Sequence, residues 1–551
     1  MGVCMSQRAR LSIVVAFTAL VFASSAGIPS GAAAKGTSAC HRNVPPILRD
    51  GFPNPEFRYS RNGRLDVNML AAPGKVRIDG KPVWTRSFNH QFPGPALMVC
   101  AGDRLRVNLK NRLKGQPTNF HTHGFHVSPR GHHDNVYVNL DPGKNFRYEY
   151  SIPRTNPAGA YWYHPHRHHF VDSQIFAGMS GAIIQEGGLD RLPAFRDIPQ
   201  RIMVLQNTQV KDGKVVPVNK ANAAKEQIFV NGSLFPTAKI RPGELQRWRI
   251  LNNSADRMMV LKLEDQPFWV LAQDGATLRR PRVVRRMKLA PGQRREVLVR
   301  GAKHGRYVLE AAPFKQFPGP VPKAQPFMFV QSQGEPVAHR QPIPQRLGGH
   351  FPDLRKEQPE RYRKIVYSEE ISKTETDFFL NGQMFNPHNV LTMKLNSLEQ
   401  WKLVNTTNEW HTFHIHINDF QVIRIGGKPQ PYVNYQDNVM IPPNSSVVIR
   451  QRPTQFTGKF VFHCHVVFHE DHGMMMAVRV AKNPTAGELA ANSWQDGELT
   501  VASSAYGSSA VPGPAVDRSE PPALVTDGSP ARHDVAGRPW FCRLGLTNRK
   551  T

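Results

Sequence analysis

The chain has 551 residues, 40% of them hydrophobic and 21% charged, the balance of a soluble globular protein with room for about three or four domains. Its mean hydropathy of −0.44 argues against an integral membrane protein. The formal charge of +29 fits either attraction to an anionic envelope surface or a set of solvated strand faces, and no nucleic-acid-binding motif accompanies it.

Arg8 and Arg10 precede an apolar run at residues 11–23 (LSIVVAFTALVFA), and small residues follow with cleavage positions after Ala26 and Ala34. The run is too short for a bilayer, so residues 1–34 read as a secretory signal peptide and the mature protein as periplasmic or secreted. Cys4 leaves with the signal. In an oxidising compartment two of Cys40, Cys100 and Cys542 can pair. Cys40 with Cys100 is favoured, since Cys542 falls in a polar tail.

From about residue 40 the chain is built of short β-branched and aromatic runs such as KVRIDGKPVW, YVLEAA and SSVVIRQRP, divided by Pro and Gly turns. This predicts an all-β chain of sandwich domains. The pattern repeats. FNHQFPGP then GDRLRVNLKNRL near residue 88 is matched by FVNGSLFP then PGELQRWRILNNS near 229, and by FLNGQMFNP then NSLEQWKLVNTT near 379. Three domains of similar topology are predicted at about 40–189, 190–345 and 346–485, followed by a Ser-, Pro-, Gly- and Ala-rich tail, 486–551, read as partly disordered. The basic excess lies in the domains, densest at residues 278–306.

After the first repeat's strand comes TNFHTH, with His121 and His123, and then YWYHPHRHH, with His164 and His166. At the matching place the second repeat has Met258, Leu261 and Leu263, so the middle domain reads as a spacer without metal ligands. The third repeat has NEWHTFHIH, with His411, His414 and His416. Last comes HCHVVFHEDHGMM, with His463 and His465 around Cys464. In a strand, residues i and i+2 share a face, so each His-x-His pair offers two imidazoles to one side. Two pairs come from each outer domain. Where those domains meet, eight imidazoles converge on a site suited to copper, zinc, iron or nickel. Cys464 points to the opposite face, where His469, Met474 and the unpaired His411 remain. One thiolate, two imidazoles and a weak thioether make a blue-copper electron-transfer centre.

On HTHG, WYHPH, HTFHIH and HCHVVFHEDHGMM the chain resembles the three-domain multicopper oxidases of the laccase class, bacterial type, from about residue 50 to 482. The resemblance implies three cupredoxin-like Greek-key β-sandwich domains and four copper ions. It assigns His411, Cys464, His469 and Met474 to a type 1 copper and His121 and His414 to a type 2 copper. His123, His164, His166, His416, His463 and His465 go to a type 3 pair. It further implies one-electron oxidation of a small phenol or aromatic amine, docked near His411, coupled to reduction of dioxygen to water. The absence of a methionine-rich insert favours organic reductants over Cu(I) or Mn(II). Metal oxidation and copper sequestration without turnover are the other readings. Thr122 stands where the family commonly has Trp, and Thr412 where Pro is usual.

Protons for dioxygen reduction need a carboxylate. Glu470, next to His469, and Asp134, in RGHHDNVY, resemble the family's acids. Glu409 reads as a surface glutamate, or as a group that takes a phenol proton or binds a metal cation. His126, His132, His133, His168, His169 and His472 fit no ligand slot. They read as supporting or solvated, with accessory copper binding as the alternative, and His168 rivals His166 in the second motif.

Overall fold

A computed structural model describes residues 39–42, 44–372, 376–431 and 435–490. The segment expected to be a signal peptide, the tail beyond Ala490 and Cys542 lie outside the described residues. Six sheets repeat one plan three times. In each repeat the first long strand pairs in parallel with a strand beyond the Asn-containing turn: Arg64–Ile78 with Arg104–Asn111, Gln200–Thr208 with Leu245–Asn252, and Arg361–Ile371 with Glu399–Asn405. The facing sheet holds a second parallel pair: Ala96–Cys100 with Gly181–Glu186, Thr237–Ile240 with Gln325–Ser332, and Val390–Lys394 with Met475–Ala481. Strands adjacent in sequence therefore cross between sheets, the Greek-key arrangement of a cupredoxin-like sandwich. The all-β expectation of three such sandwiches holds.

The repeated Asn motif has a physical cause. Asn89, Asn231 and Asn381 adopt φ of 54°, 49° and 53°, the left-handed region that asparagine tolerates. The side-chain oxygen of each accepts a hydrogen bond from an earlier strand of its repeat, from the N–H of Leu70, Val204 and Val366 at 2.7, 2.8 and 2.7 Å. Strand alternation then sets the cores. Leu65, Val67, Met69 and Ala71 point inward from one strand, and Trp248 and Trp401 are fully buried in the other two sandwiches. Each such side chain contributes about 1.5–3 kcal/mol of transfer free energy. The hairpin Val210–Lys211 with Lys214–Val215 extends a sheet of the first sandwich by pairing with Lys81–Phe88.

The basic run at 278–306 divides in two. Arg279, Arg280, Arg285 and Arg286 are exposed on or beside the edge strand Ala276–Val284. Arg294 and Arg295 are instead buried in ion pairs with Asp437 and Asp274. Solvated strand faces thus account for only part of the excess charge. Cys40 is disulfide-bonded to Cys100, and Cys464 is the free cysteine among the described residues. Two short helices follow the histidine pairs, Val171–Phe176 (α1) and Val467–Asp471 (α2). No helix among the described residues is long and apolar enough to cross a membrane.

Candidate metal centre

Strand pairing brings the histidines together. His121–His123 runs antiparallel to Gly159–His164, setting His121 opposite His164. His411–Ile415 runs antiparallel to Gly458–Cys464, setting His414 opposite His463. His166, His416 and His465 lie just past the ends of these strands. All eight paired imidazoles are buried, the most accessible being His166 at 3%.

The rings from the first and third sandwiches interleave. His123 stacks on His414 at 3.8 Å and His121 on His416 at 4.0 Å, while His465 lies 4.8 Å from His123 and 5.5 Å from His164. His166 Nε2 is 3.1 Å from both His463 Nε2 and His416 Nε2, which are 3.3 Å apart. A point equidistant from the three lies about 1.8 Å from each, near the roughly 2.0 Å of a metal–imidazole bond.

The buried nitrogens test whether a metal fits. Nε2 of His121, His164 and His414, Nδ1 of His123 and both ring nitrogens of His465 have no hydrogen-bond partner. Such orphaned groups are costly unless something ligates them, and an all-imidazole set suits copper. Burial first, then the neighbouring imidazoles, hold His123, His164, His414 and His416 well below the usual 6.5, and His465 at about 3. They are therefore neutral, the form that binds metal.

Opposite ring nitrogens are engaged, as ligating histidines require. His121 Nδ1 is 2.8 Å from Asp134 Oδ2, His123 Nε2 is 3.1 Å from Asp437 Oδ1, and His414 Nδ1 is 2.7 Å from the Asp437 carbonyl. His463 Nδ1 is 3.0 Å from Glu470 Oε2, whose other oxygen is 3.5 Å from His166 Nδ1. Thr122 anchors Asp134 through its N–H at 2.9 Å and its hydroxyl at 3.1 Å.

Asp437 and Arg294 were missed from sequence. Arg294 donates to both Asp437 oxygens at 2.8 and 2.6 Å. Burial pushes the Asp437 carboxyl up and Arg294 opposes it, leaving it at about 6. Gly292, at φ 83°, lies so close that a Cβ there would meet Asn438 Nδ2 at 2.8 Å and His123 Cε1 at 3.0 Å. The middle sandwich thus closes one wall of the histidine set. Its own histidines, His304 and His339, are exposed.

On the other face of the same segment, Cys464 Sγ stands 3.7 Å from His411 Nδ1 and 3.6 Å from His469 Nδ1, and those nitrogens are 3.1 Å apart. Met474 is fully buried in the same apolar cluster, and its carbonyl accepts from the Cys464 N–H at 3.0 Å. Burial pushes the Cys464 thiol up, so a thiolate there requires a cation beside it. His411 is held at about 3 by burial.

Glu409 is 2% exposed, which corrects its reading as a surface residue. Its Oε1 lies 3.1 Å from His469 Nε2 and 3.9 Å from His411 Nε2. Burial, then the nearby Glu369 carboxylate, raise its carboxyl well above the usual range. His411 is also enclosed, with Thr407 Oγ1 2.9 Å from its Nε2. A mainly apolar cavity of about 280 Å³ is lined by Phe317, whose ring lies 6.3 Å from that of His469. Of the other histidines, His126 and His132 bond the carbonyls of Ile417 and Arg147, each at 2.7 Å. His166, and not His168, enters the histidine set.

Sequence profiles described as "Multicopper oxidase" match residues 71–187, 156–326 and 356–484. The chain belongs to the multicopper oxidase family. It is 25% identical over 441 residues to the multicopper oxidase mco of Staphylococcus aureus, covering 77% of this chain and 90% of that protein. It is 22% identical over 485 residues to the laccase of Bacillus subtilis strain 168, covering 74% and 93%. Among solved structures, a multicopper oxidase from Campylobacter jejuni described as a metallo-oxidase aligns with TM-score 0.66 at 24% identity, covering 80% of this chain and 98% of that one. The multicopper oxidase McoA of Aquifex aeolicus aligns with TM-score 0.68 at 22% identity, covering 79% and 99%. As a multicopper oxidase the chain is a copper-dependent enzyme with dioxygen as acceptor, and its two clusters of buried donors are the candidate copper sites.

Proposed function

We propose that this protein is an exported laccase-like oxidase that couples one-electron oxidation of small phenols or aromatic amines to reduction of dioxygen to water. Four copper ions are assigned: one to His411, Cys464, His469 and Met474, one to His121 and His414, and two to His123, His164, His166, His416, His463 and His465. Copper bound there supplies one-electron exchange at the thiolate set and four-electron reduction of dioxygen at the histidine set. The observation that carries this reading is the placement of Cys464 between His463 and His465, so that one covalent segment joins both donor sets.

The protein's own groups hold ligands and handle protons. Asp134 and Asp437 orient His121 and His123. Glu470, within reach of His463 and His166, is the group able to pass protons to the histidine set. Overall, four phenols lose one electron and one proton each, and one dioxygen gains four of each to form two waters. The cavity bounded by Met258, Phe314 and Phe317, with the Asp256 carboxylate at its wall, suits a small aromatic reductant on the His469 side. The Cys40–Cys100 disulfide supports a periplasmic or secreted location.

Oxygen uptake by copper-loaded protein with a phenol, compared with Cu(I) and Mn(II), tests the reading. Faster uptake with the phenol is expected. Uptake with the metal ions alone would reassign the protein as a metallo-oxidase, and no uptake with any reductant would leave copper sequestration.

A further inference from the structure

Two histidines outside both donor sets, His168 and His169, sit where the 164–170 loop of the first sandwich meets α2 of the third. That loop sends His166 inward and then turns out through Arg167 to His168 and His169. In the same way α2 sends His469 and Glu470 inward and ends at Asp471 and His472. The rings of His168 and His169 lie 3.9 Å apart. His168 Nδ1 faces Asp471 Oδ1 at 3.9 Å, too far for a hydrogen bond. Both atoms are buried and neither has a hydrogen-bond partner. Asp471 is only 6% exposed, and its other oxygen is fixed by the Asp172 N–H at 2.9 Å.

The His169 ring is set up as a ligating histidine commonly is, with one nitrogen donating to a carbonyl and the other left over. His169 Nδ1 donates to the Asp471 carbonyl at 3.1 Å.

We propose that His168, His169 and Asp471 form a peripheral site for one borderline divalent cation, Cu(II) or Zn(II). Imidazoles with one carboxylate are the donors such ions take. A cation bonded at about 2.0–2.2 Å to each bridges the gap between His168 and Asp471 that no hydrogen bond closes. Its occupation ties the loop bearing His166 to the helix bearing His469.

The test counts zinc on the copper-loaded protein. After equilibration with Zn(II) and removal of loosely held metal, wild type is expected to retain one equivalent more than His168→Gln and His169→Gln. Calorimetry should show at least tenfold weaker zinc binding in both variants. Because the readout is the difference between wild type and variant, it does not depend on what fills the buried sets. His169 is exposed, so His169→Gln serves where His168→Gln folds poorly. Equal zinc retention by wild type and both variants overturns the site.

Discussion

Arg294 holds both carboxylate oxygens of Asp437 at 2.8 and 2.6 Å, and Asp437 Oδ1 in turn stands 3.1 Å from His123 Nε2. The pair spans 143 positions of sequence and links the middle sandwich to the histidine set. Removing the guanidinium leaves a carboxylate buried without its counter-charge, a change that costs about 3–5 kcal/mol. It also frees the imidazole that Asp437 orients, and loss of such support typically weakens metal binding about 10–100-fold. Arg294→Met is therefore expected to lower the urea midpoint and the copper retained after dialysis. Arg294→Met with Asp437→Asn should recover part of the stability, because no charge is then stranded. Equal stability of the single and double variants would show that the pair does not carry this load.

Cys464→Ser replaces a soft sulfur by a hydroxyl of similar shape while leaving the eight paired imidazoles untouched. One equivalent of copper and the charge-transfer colour of copper–thiolate bonding should disappear, and the histidine set should keep its metal. Oxygen uptake with a phenol is expected to fall to background. Wild-type uptake in this variant would break the link between Cys464 and the histidines beside it.

The donor sets were legible because strand geometry has a period of two. It holds outright for His121 and His123 in one strand and sets Cys464 against His463, while His166, His416 and His465 join the same set from just past the strand ends. The Asn turns were legible for a similarly local reason, since the left-handed residue and its side-chain acceptor fall in one short motif. Asp437 and Arg294 were not, because nothing local distinguishes a buried ion pair from two surface charges. The same blindness made Glu409 read as a surface glutamate, and left the buried Arg294 and Arg295 indistinguishable from the exposed arginines around them. The middle sandwich looked like a spacer because it lacks ligands. Its contribution is made through Gly292 and Arg294, which only the assembled fold brings to the histidines.

Glu470 touches His463 and His166 from the protein side. Glu470→Gln keeps its shape and hydrogen-bonding capacity but cannot release a proton. Turnover with saturating phenol is expected to fall about 10²–10⁴-fold, the usual scale of acid–base participation. Copper content and the colour of the thiolate-bound copper should stay as in wild type. Loss of copper from the variant would make Glu470 a structural support of the ligands instead of a proton donor.

The Cys40–Cys100 bond closes a loop with a sequence separation of 60. Chain-entropy reasoning gives such a cross-link about 4 kcal/mol of native-state stabilisation. Cys40→Ser with Cys100→Ser should lower stability by up to that amount. Cys464 is the other cysteine among the described residues and belongs to the opposite end of the chain, so the copper–thiolate colour of the folded fraction should persist. Unchanged unfolding midpoints under oxidising conditions would remove the cross-link from the account of stability.

Asp190 sits between two buried guanidiniums, accepting from Arg247 at 2.5 Å and Arg249 at 2.6 Å, with the Gly187 N–H at 2.8 Å. Burial by itself raises the carboxyl, but Arg249 and Arg247 outweigh it and hold it at about 2 against an ordinary 3.8. A carboxyl depressed by folding stabilises the native state fully above its unfolded value, and that contribution is lost as pH falls through the folded value. The window is therefore about pH 4 down to pH 2, and the difference amounts to about 2 kcal/mol. In Asp190→Asn the arginines keep Glu296 but lose one counter-charge, so the variant should be less stable at pH 7 by about 3–5 kcal/mol. Urea unfolding at a series of pH values should show that gap constant down to about pH 4, then narrowing towards pH 2 as protonation removes the same charge from wild type. A gap of equal size at pH 7 and pH 2 would mean that the ionised form of Asp190 is not what stabilises the middle sandwich.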